Sequence, residues 1–152
     1  MAWTTPKTDW EVGELVSPGD LNAVGENLVA LKEGLAAAAY TTTEAISLPN
    51  DGTFEDVDSN NLNLTITTTG RDVLVHFHGS QTDGHCTFDI EVDGVRHGGT
   101  DDGILRTGWN RNPIVSFTRL IQNLSAGSHT FKLQARYGTT LRIGAQFWVR
   151  EI

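Results

Sequence analysis

Apolar and polar residues alternate along most of the chain after residue 40, and this period of two predicts β-strands. The alternation is clearest in residues 129–137 and 140–150, where it assigns Tyr137 and Ile143 to the apolar face. Turn signals such as Asp93-Gly94 separate the segments. The predicted strands cover residues 42–48, 52–57, 62–69, 72–78, 86–92, 104–107, 113–121, 129–137 and 140–150.

Strands of this length, separated by turns, predict two packed antiparallel sheets. The expected fold is mainly β: an antiparallel β-sandwich over residues 40–152, most simply an eight-stranded jelly roll. One predicted strand, residues 113–121, is apolar on both faces, with Ile114 and Leu120 opposite Val115. Such a strand needs cover on both sides, and a subunit interface would supply the second cover.

The pattern from residue 17 to about residue 38 is helical. Ser17 and Pro18 form a helix start, because serine caps free amides and proline fits the first helical position. The short α-helix is expected to run to about Ala38, with apolar residues spaced alternately three and four apart. This narrow stripe is typical of a seam between helices, which predicts oligomerisation; packing against the chain's own sandwich is the alternative. The seam residues are Leu21, Val24, Leu28, Leu31 and Leu35.

Residues 1–16 follow neither period, yet they contain Trp3 and Trp10, two of the four tryptophans. Unfolded chains are poor in aromatic residues, so both rings are expected to dock on a surface. That surface is either this chain's own sandwich or a neighbouring protein. We therefore divide the chain into an extended arm with the helix, residues 1–39, and the sandwich, residues 40–152.

The formal net charge of −8 is concentrated in the N-terminal part. Residues 1–60 contain eleven acidic residues and two lysines, a sum of −9, whereas residues 61–152 contain nine basic and eight acidic residues, a sum of +1. The sequence has no clustered basic patch, so nucleic acid is not expected as a partner. The acidic part is interpreted as solvated surface, with docking to a basic partner as the alternative.

The longest apolar run is too short to span a bilayer, and no secretion signal opens the sequence. We therefore expect no membrane insertion and synthesis in the cytoplasm. The single cysteine, Cys86, cannot form an internal disulfide. It lies next to His85 without a convincing third catalytic partner, so a buried, inert thiol is expected.

His76 and His78 lie two residues apart in a predicted strand, and therefore on one face of it, a spacing that can hold a metal ion. Of the further ligands of a cupin-type metal enzyme, only His129 is hinted at. We interpret the pair as polar side chains on a partly solvated face. A cupin-like enzyme and a metal site shared by three copies of the chain are the alternatives. No cofactor and no catalytic residue are predicted.

Trp109 and Arg111 lie in a predicted loop with two asparagines and a glycine. An exposed indole beside amides and a guanidinium is a common platform for sugars. Both residues are therefore candidate ligand contacts. The alternative is that Trp109 closes one end of the sandwich.

The N-terminal segment contains Trp3-x-x-Pro6, Trp10, Gly13-Glu14-Leu15, Leu21-Asn22 and Asn27-Leu28 in this order. This arrangement resembles the opening of many small virion proteins of tailed phages and prophages. The resemblance implies an attachment module, with Trp3, Pro6 and Trp10 as particle-anchoring residues. Gly25-Glu26 departs from the pattern, because an Arg-Asp pair is frequent there. The C-terminal half, particularly residues 124–134, is similar in style to the trimeric jelly rolls of phage fibres, head decorations and TNF-like modules.

Together these observations predict a non-enzymatic structural protein located in a phage virion. It would be a homotrimer, anchored by its N-terminal arm, whose jelly roll forms a surface decoration or a fibre module. Its partners would be copies of itself and other virion proteins of the capsid or tail. The alternative is a host-receptor or carbohydrate-binding module of a phage tail, which would bind a host surface glycan through Trp109.

Overall fold

The computed structural model describes residues 36–82, 84–99, 103–108 and 112–152. These residues belong to one compact unit, Ala36–Ile152. Their regular structure is all β, and none of them forms a helix of the length and apolarity needed to span a membrane. The strands are β1 (Ala37–Thr41), β2 (Ile46–Ser47), β3 (Glu55–Asp56), β4 (Asn63–Thr69), β5 (Val73–Ser80), β6 (Thr87–Val92), β7 (Val95–Arg96), β8 (Leu105–Arg106), β9 (Ile114–Ile121), β10 (Ala126–Arg136), β11 (Thr140–Leu141) and β12 (Gln146–Glu151).

The strands form two antiparallel sheets. In the first sheet the order is β1-β12-β5-β9, and β2 and β11 continue β1 and β12 in the same register. In the second sheet β10 pairs with β3 and β4 on one side and with β6 on the other, and β7 and β8 pair with the far side of β6.

Four strand positions are interrupted, so the twelve strands occupy eight positions, four in each sheet. Numbered along the chain, these positions follow the order first, eighth, third and sixth in the first sheet. In the second sheet the order is second, seventh, fourth and fifth. This alternation between two sheets is the jelly-roll topology, and it confirms the predicted antiparallel sandwich.

The core lies between the sheets and is built from the inward half of each alternating pattern. Four phenylalanines, Phe77, Phe88, Phe131 and Phe147, are fully buried there. The rings of Phe77 and Phe88, one from each sheet, have centroids 5.2 Å apart. Burying each ring contributes about 1.5–3 kcal/mol, so these four side chains are a major source of stability.

The start of β1 differs from the prediction. The predicted helix lies outside the described residues except at its end, where Ala37 and Ala38 form a strand paired with Arg150 and Val149 of β12. Alanine favours a helix in isolation, but here the backbone hydrogen bonds to β12 and the packing of Ala38 against the core outweigh that preference. The sandwich therefore begins before Tyr40.

The predicted strand over residues 140–150 is interrupted between β11 and β12. Gly144 has a φ of 85°, and its amide donates to the carbonyl of Thr42 at 2.9 Å. The Thr42 hydroxyl also accepts a hydrogen bond from the amide of Ala145 at 3.0 Å. Ile143 is exposed as a result, so its predicted position on the core face is wrong.

Tyr137 was also predicted to face the core, and this prediction is wrong. β10 ends at Arg136, and the backbone turns at Tyr137 with a φ of 58°. The ring is 40 % exposed as a consequence. The two-residue strand β7 was missed, because two residues are too few to show an alternating pattern.

The two ends of the sandwich carry different groups. At the entry end, where Ala36 joins β1, the buried Glu151 accepts hydrogen bonds from the amide and hydroxyl of Thr69 at 2.6 and 2.8 Å. It also accepts one from the Arg71 amide at 3.3 Å. Burial alone would raise the pKa of Glu151, but the hydrogen bonds from Thr69 and Arg71 hold it below its usual value.

The opposite end, here called the loop end, is formed by the connections that follow β2, β5, β8 and β10. These connections are joined by backbone hydrogen bonds. The Tyr137 amide donates to the Asp51 carbonyl at 3.2 Å, and the Gly138 amide donates to the Pro49 carbonyl at 2.7 Å. Backbone hydrogen bonds therefore hold these connections against one another at the loop end.

Candidate functional site

Most of the site residues predicted from the sequence lie outside the described residues, and their roles stay predictions. The group comprises the anchoring residues Trp3, Pro6 and Trp10, the seam residues Leu21, Val24, Leu28, Leu31 and Leu35, and the candidate ligand contacts Trp109 and Arg111. The described candidates are His76 and His78, which lie on the outward side of the first sheet.

This outward side, the first outer face, is almost uncharged. Inward residues of each strand are buried in the core, and the alternate residues form rows across β1, β12, β5 and β9. Within these rows, Arg150 is the only arginine, and there is no lysine, aspartate or glutamate. The rows are Ala37, Arg150, Leu74 and Leu120; Ala39, Trp148, His76 and Thr118; and Thr41, Gln146, His78 and Ser116; Ser80 and Ile114 continue the face along β5 and β9.

His76 is held in the middle of this face by two neighbours. Its ring stacks on Trp148 with centroids 5.0 Å apart, and its Nδ1 lies 2.8 Å from the Thr118 hydroxyl oxygen. Partial burial and the nearby imidazole of His78 lower the pKa of His76 from its usual value. The ring is therefore neutral at pH 7, fixed in orientation and suited to a packed contact.

The structure does not bring the predicted histidines into a cupin-like site. His129 belongs to the second sheet, where its Nδ1 lies 2.6 Å from an Asp93 carboxylate oxygen and its Nε2 lies 2.8 Å from the Ser125 carbonyl. His76 and His78 point outward from the other sheet. In residues 36–82, 84–99, 103–108 and 112–152, no cluster of three metal-ligating side chains forms.

Cys86 is fully buried, as predicted. Its amide donates a 2.7 Å hydrogen bond to the Thr107 hydroxyl. Burial raises the pKa of the Cys86 thiol to about 12, so the nucleophilic thiolate does not form near neutral pH. The thiol is a packing group.

The outward side of the second sheet has a different character, because it carries several charges that are paired within the chain. Lys132 lies 3.2 Å from Asp56 and 3.1 Å from Glu91. Gln134 donates to the same two carboxylates, and the guanidinium of Arg96 lies 2.8 Å from the buried Asp89. The charges of these residues are therefore neutralised within the chain.

By contrast, the first outer face leaves large apolar side chains uncovered. Ile114 is 75 % exposed and Leu120 is 40 % exposed, both on the edge strand β9. The same strand buries Val115 and Ile121 on its inner side. The sequence predicted that both faces of this strand are apolar. Within the described residues, the chain covers only the inner face.

A second group, at the loop end, was missed by sequence reasoning. The guanidinium of Arg136 lies between two rings, 4.7 Å from the Phe54 centroid and 5.3 Å from the Tyr137 centroid. The His85 ring lies 5.4 Å from that of Tyr137. Phe54 is distant in sequence and follows no motif, so the only local signal was an aromatic residue next to an arginine. We call Phe54, His85, Arg136 and Tyr137 the Tyr137 cluster.

Comparison with known protein families and with curated proteins found no match to this chain.

Proposed function

We propose that the protein is a non-enzymatic structural component of a phage virion. In this proposal it is a homotrimer whose jelly roll forms a decoration or fibre module on the particle surface. The observation that carries the proposal is the first outer face, which is nearly free of charge and exposes Ile114 and Leu120. The resemblance of the N-terminal segment to phage virion proteins supports the particle as its location.

The first outer face has the chemistry of a subunit contact. Cores of protein interfaces are depleted in charged residues and enriched in aromatic ones, as in the Trp148–His76 pair of this face. On the outward side of the second sheet, Lys132 is already paired with Asp56 and Glu91, so these charges gain little from a partner subunit. Covering Ile114 and Leu120 in an assembly would contribute about 1–2 kcal/mol each.

A non-enzymatic role agrees with the chemistry of the described residues. Cys86 is buried with a raised pKa, and His129 lies on a different sheet from His76 and His78.

Light scattering on the full chain tests the trimer. We expect the wild-type mass to be three times that of one chain at micromolar concentration. The double variant Ile114→Lys/Leu120→Lys should give the mass of one chain, because two desolvated charges would oppose the contact. Since both side chains are exposed within one chain, the variant should still fold.

Val95→Lys is the matched control. Val95 is also exposed, at 62 %, but it lies on β7 at the edge of the other sheet. This variant should keep the wild-type mass. A wild-type chain that stays single, or a double variant that still forms trimers, would contradict the assembly through this face.

Location in the particle is tested separately. Antibodies to this chain, imaged on intact particles from the producing cells, should label the particle surface. If particles from cells that produce the chain are not labelled, the virion role is rejected. That result would not bear on the proposed trimer.

A further inference from the structure

The Tyr137 cluster contains a side chain that the fold alone does not require. Tyr137 has a left-handed backbone with a φ of 58°, a conformation that glycine or asparagine adopts more readily than a bulky residue. Its ring is 40 % exposed and contributes little to the core. Strained residues of this kind concentrate at functional sites, because the surrounding structure must hold them in place.

The surrounding backbone fixes that strained conformation. The Tyr137 amide donates to the Asp51 carbonyl, and the next amide, from Gly138, donates to the Pro49 carbonyl. A side chain at Gly138 would collide with Leu48, since an added Cβ would lie 2.3 Å from the Leu48 Cβ. The backbone that carries the exposed ring is thus fixed at the loop end.

Arg136 supplies a positive charge beside that ring. The only hydrogen bond of its guanidinium in the described part of the chain is a long one, 3.4 Å, from Nη1 to the Gly52 carbonyl. Its Nε is buried without a hydrogen-bond partner. Within the same ranges no carboxylate pairs with Arg136, and the nearby Asp51 directs its carboxylate to Thr53.

Arg96 also contacts the Phe54 ring, and unlike Arg136 it is paired with a carboxylate. Its guanidinium lies 3.7 Å from the Phe54 centroid, close to that of Arg136, but it is paired with Asp89 at 2.8 Å. Arg136 is held by aromatic rings instead, which keep it in position without cancelling its charge. The group available to a ligand is therefore a fixed guanidinium next to an exposed aromatic ring.

We propose that the Tyr137 cluster binds a carboxylate-bearing sugar residue. The apolar C–H face of a pyranose packs on an aromatic ring, as the exposed Tyr137 ring permits. A sugar carboxylate matches the planar fork of a guanidinium and forms paired, charge-assisted hydrogen bonds with Arg136. This ligand site is additional to the proposed structural role, and the proposal of the site does not depend on that role.

Saturation-transfer NMR on the full chain tests the proposal. The probes are N-acetylneuraminic acid and methyl glucuronide, with methyl glucoside as the neutral counterpart. At least one acidic probe should receive saturation at concentrations up to about 10 mM, and the neutral sugar should not. Arg136→Gln should weaken acidic binding by about tenfold or more, because it removes the charge-assisted pair.

Tyr137→Asn separates binding from folding. Asparagine tolerates the left-handed backbone, so the melting temperature should stay the same or rise while binding is lost. Arg71→Gln, at the entry end, is the control arginine and should bind as the wild type does. The proposal is overturned if neither acidic probe binds, if the neutral sugar binds equally well, or if Arg136→Gln binds unchanged.

Discussion

At the scale of single residues, His129 is a titratable group that joins two segments of the fold. Its two ring nitrogens lie 2.6 Å from the Asp93 carboxylate and 2.8 Å from the Ser125 carbonyl, and both of these neighbours accept hydrogen bonds. Those hydrogen bonds, the one to Asp93 above all, raise the pKa of His129 from its usual value. When both ring nitrogens are protonated, the ring donates to both neighbours and links the β6–β7 turn to the start of β10.

This linkage predicts how stability depends on pH. The pKa of His129 is higher in the folded state than in the unfolded state. Its contribution to the free energy of unfolding is therefore complete at pH values below the unfolded-state pKa. That contribution is lost as the pH rises through the folded-state pKa. We expect His129→Gln to lower the free energy of unfolding by about 1 kcal/mol at pH 6, a modest figure because Asp93 is partly solvated. The difference between wild type and variant should shrink above the folded pKa. Urea unfolding from pH 5.5 to 8.5 measures it, and a difference that grows with pH would contradict the assignment.

Single residues also show where sequence reasoning succeeds. Cys86 was predicted to be buried and inert, and it is, because an apolar strand pattern surrounds it. Tyr137 was predicted to be buried by the same kind of pattern, and it is not. An alternating pattern does not reveal the residue at which a strand stops, and that residue depends on the contacts of Tyr137 and Gly138 with residues 48–51.

At the scale of elements, the turn between β10 and β11 depends on Gly138. An added Cβ there would lie 2.3 Å from the Cβ of Leu48, so the backbone of one segment must move. We expect Gly138→Ala to lower the free energy of unfolding by about 2–4 kcal/mol, as overpacking does. Chemical denaturation measures the loss.

Gly52→Ala is the control for that experiment. The nearest atoms to its added Cβ would all belong to the side chain of Tyr137, with the closest contact at 3.1 Å to the hydroxyl and no backbone atom among them. This variant should lose less than about 1 kcal/mol. Equal losses in free energy of unfolding for Gly138→Ala and Gly52→Ala would mean that the contact with Leu48 does not determine the stability of this turn.

Four strands, β4, β5, β6 and β9, were predicted to within two residues at either end. Two failures share one cause, which is that a distant partner decides the local structure. Residues 37 and 38 become strand because β12 pairs with them, and the β11–β12 break forms where Thr42 binds Gly144 and Ala145. Neither partner is visible in the local sequence.

At the scale of the whole molecule, the sequence predicted the uncovered apolar face but missed the Tyr137 cluster. Ile114 and Leu120 follow from a local pattern, because both faces of one strand can be read from consecutive residues. The Phe54–Arg136 contact joins segments that only the folded sandwich brings together. Binding surfaces made from several loops are therefore the part of a jelly roll that sequence patterns predict least.

Self-assembly predicts a melting temperature that depends on protein concentration. Association stabilises the folded chain by mass action, so a tenfold increase in concentration should raise the melting temperature of a trimer by about 3 °C. Ile114→Lys/Leu120→Lys should melt at the same temperature at every concentration. Calorimetry over two decades of concentration tests this, and a wild type that melts at a constant temperature would contradict the trimer.

The placement of the two ends bears on how the sandwich would carry mechanical load. The chain enters at Ala36, and the Tyr137 cluster lies at the other end, with β1 and β12 running between them. Hydrogen bonds between antiparallel strands are perpendicular to the strands. A pull between Ala36 and a ligand held by Tyr137 would therefore shear all the β1–β12 hydrogen bonds together, whereas a sideways pull would break them one after another.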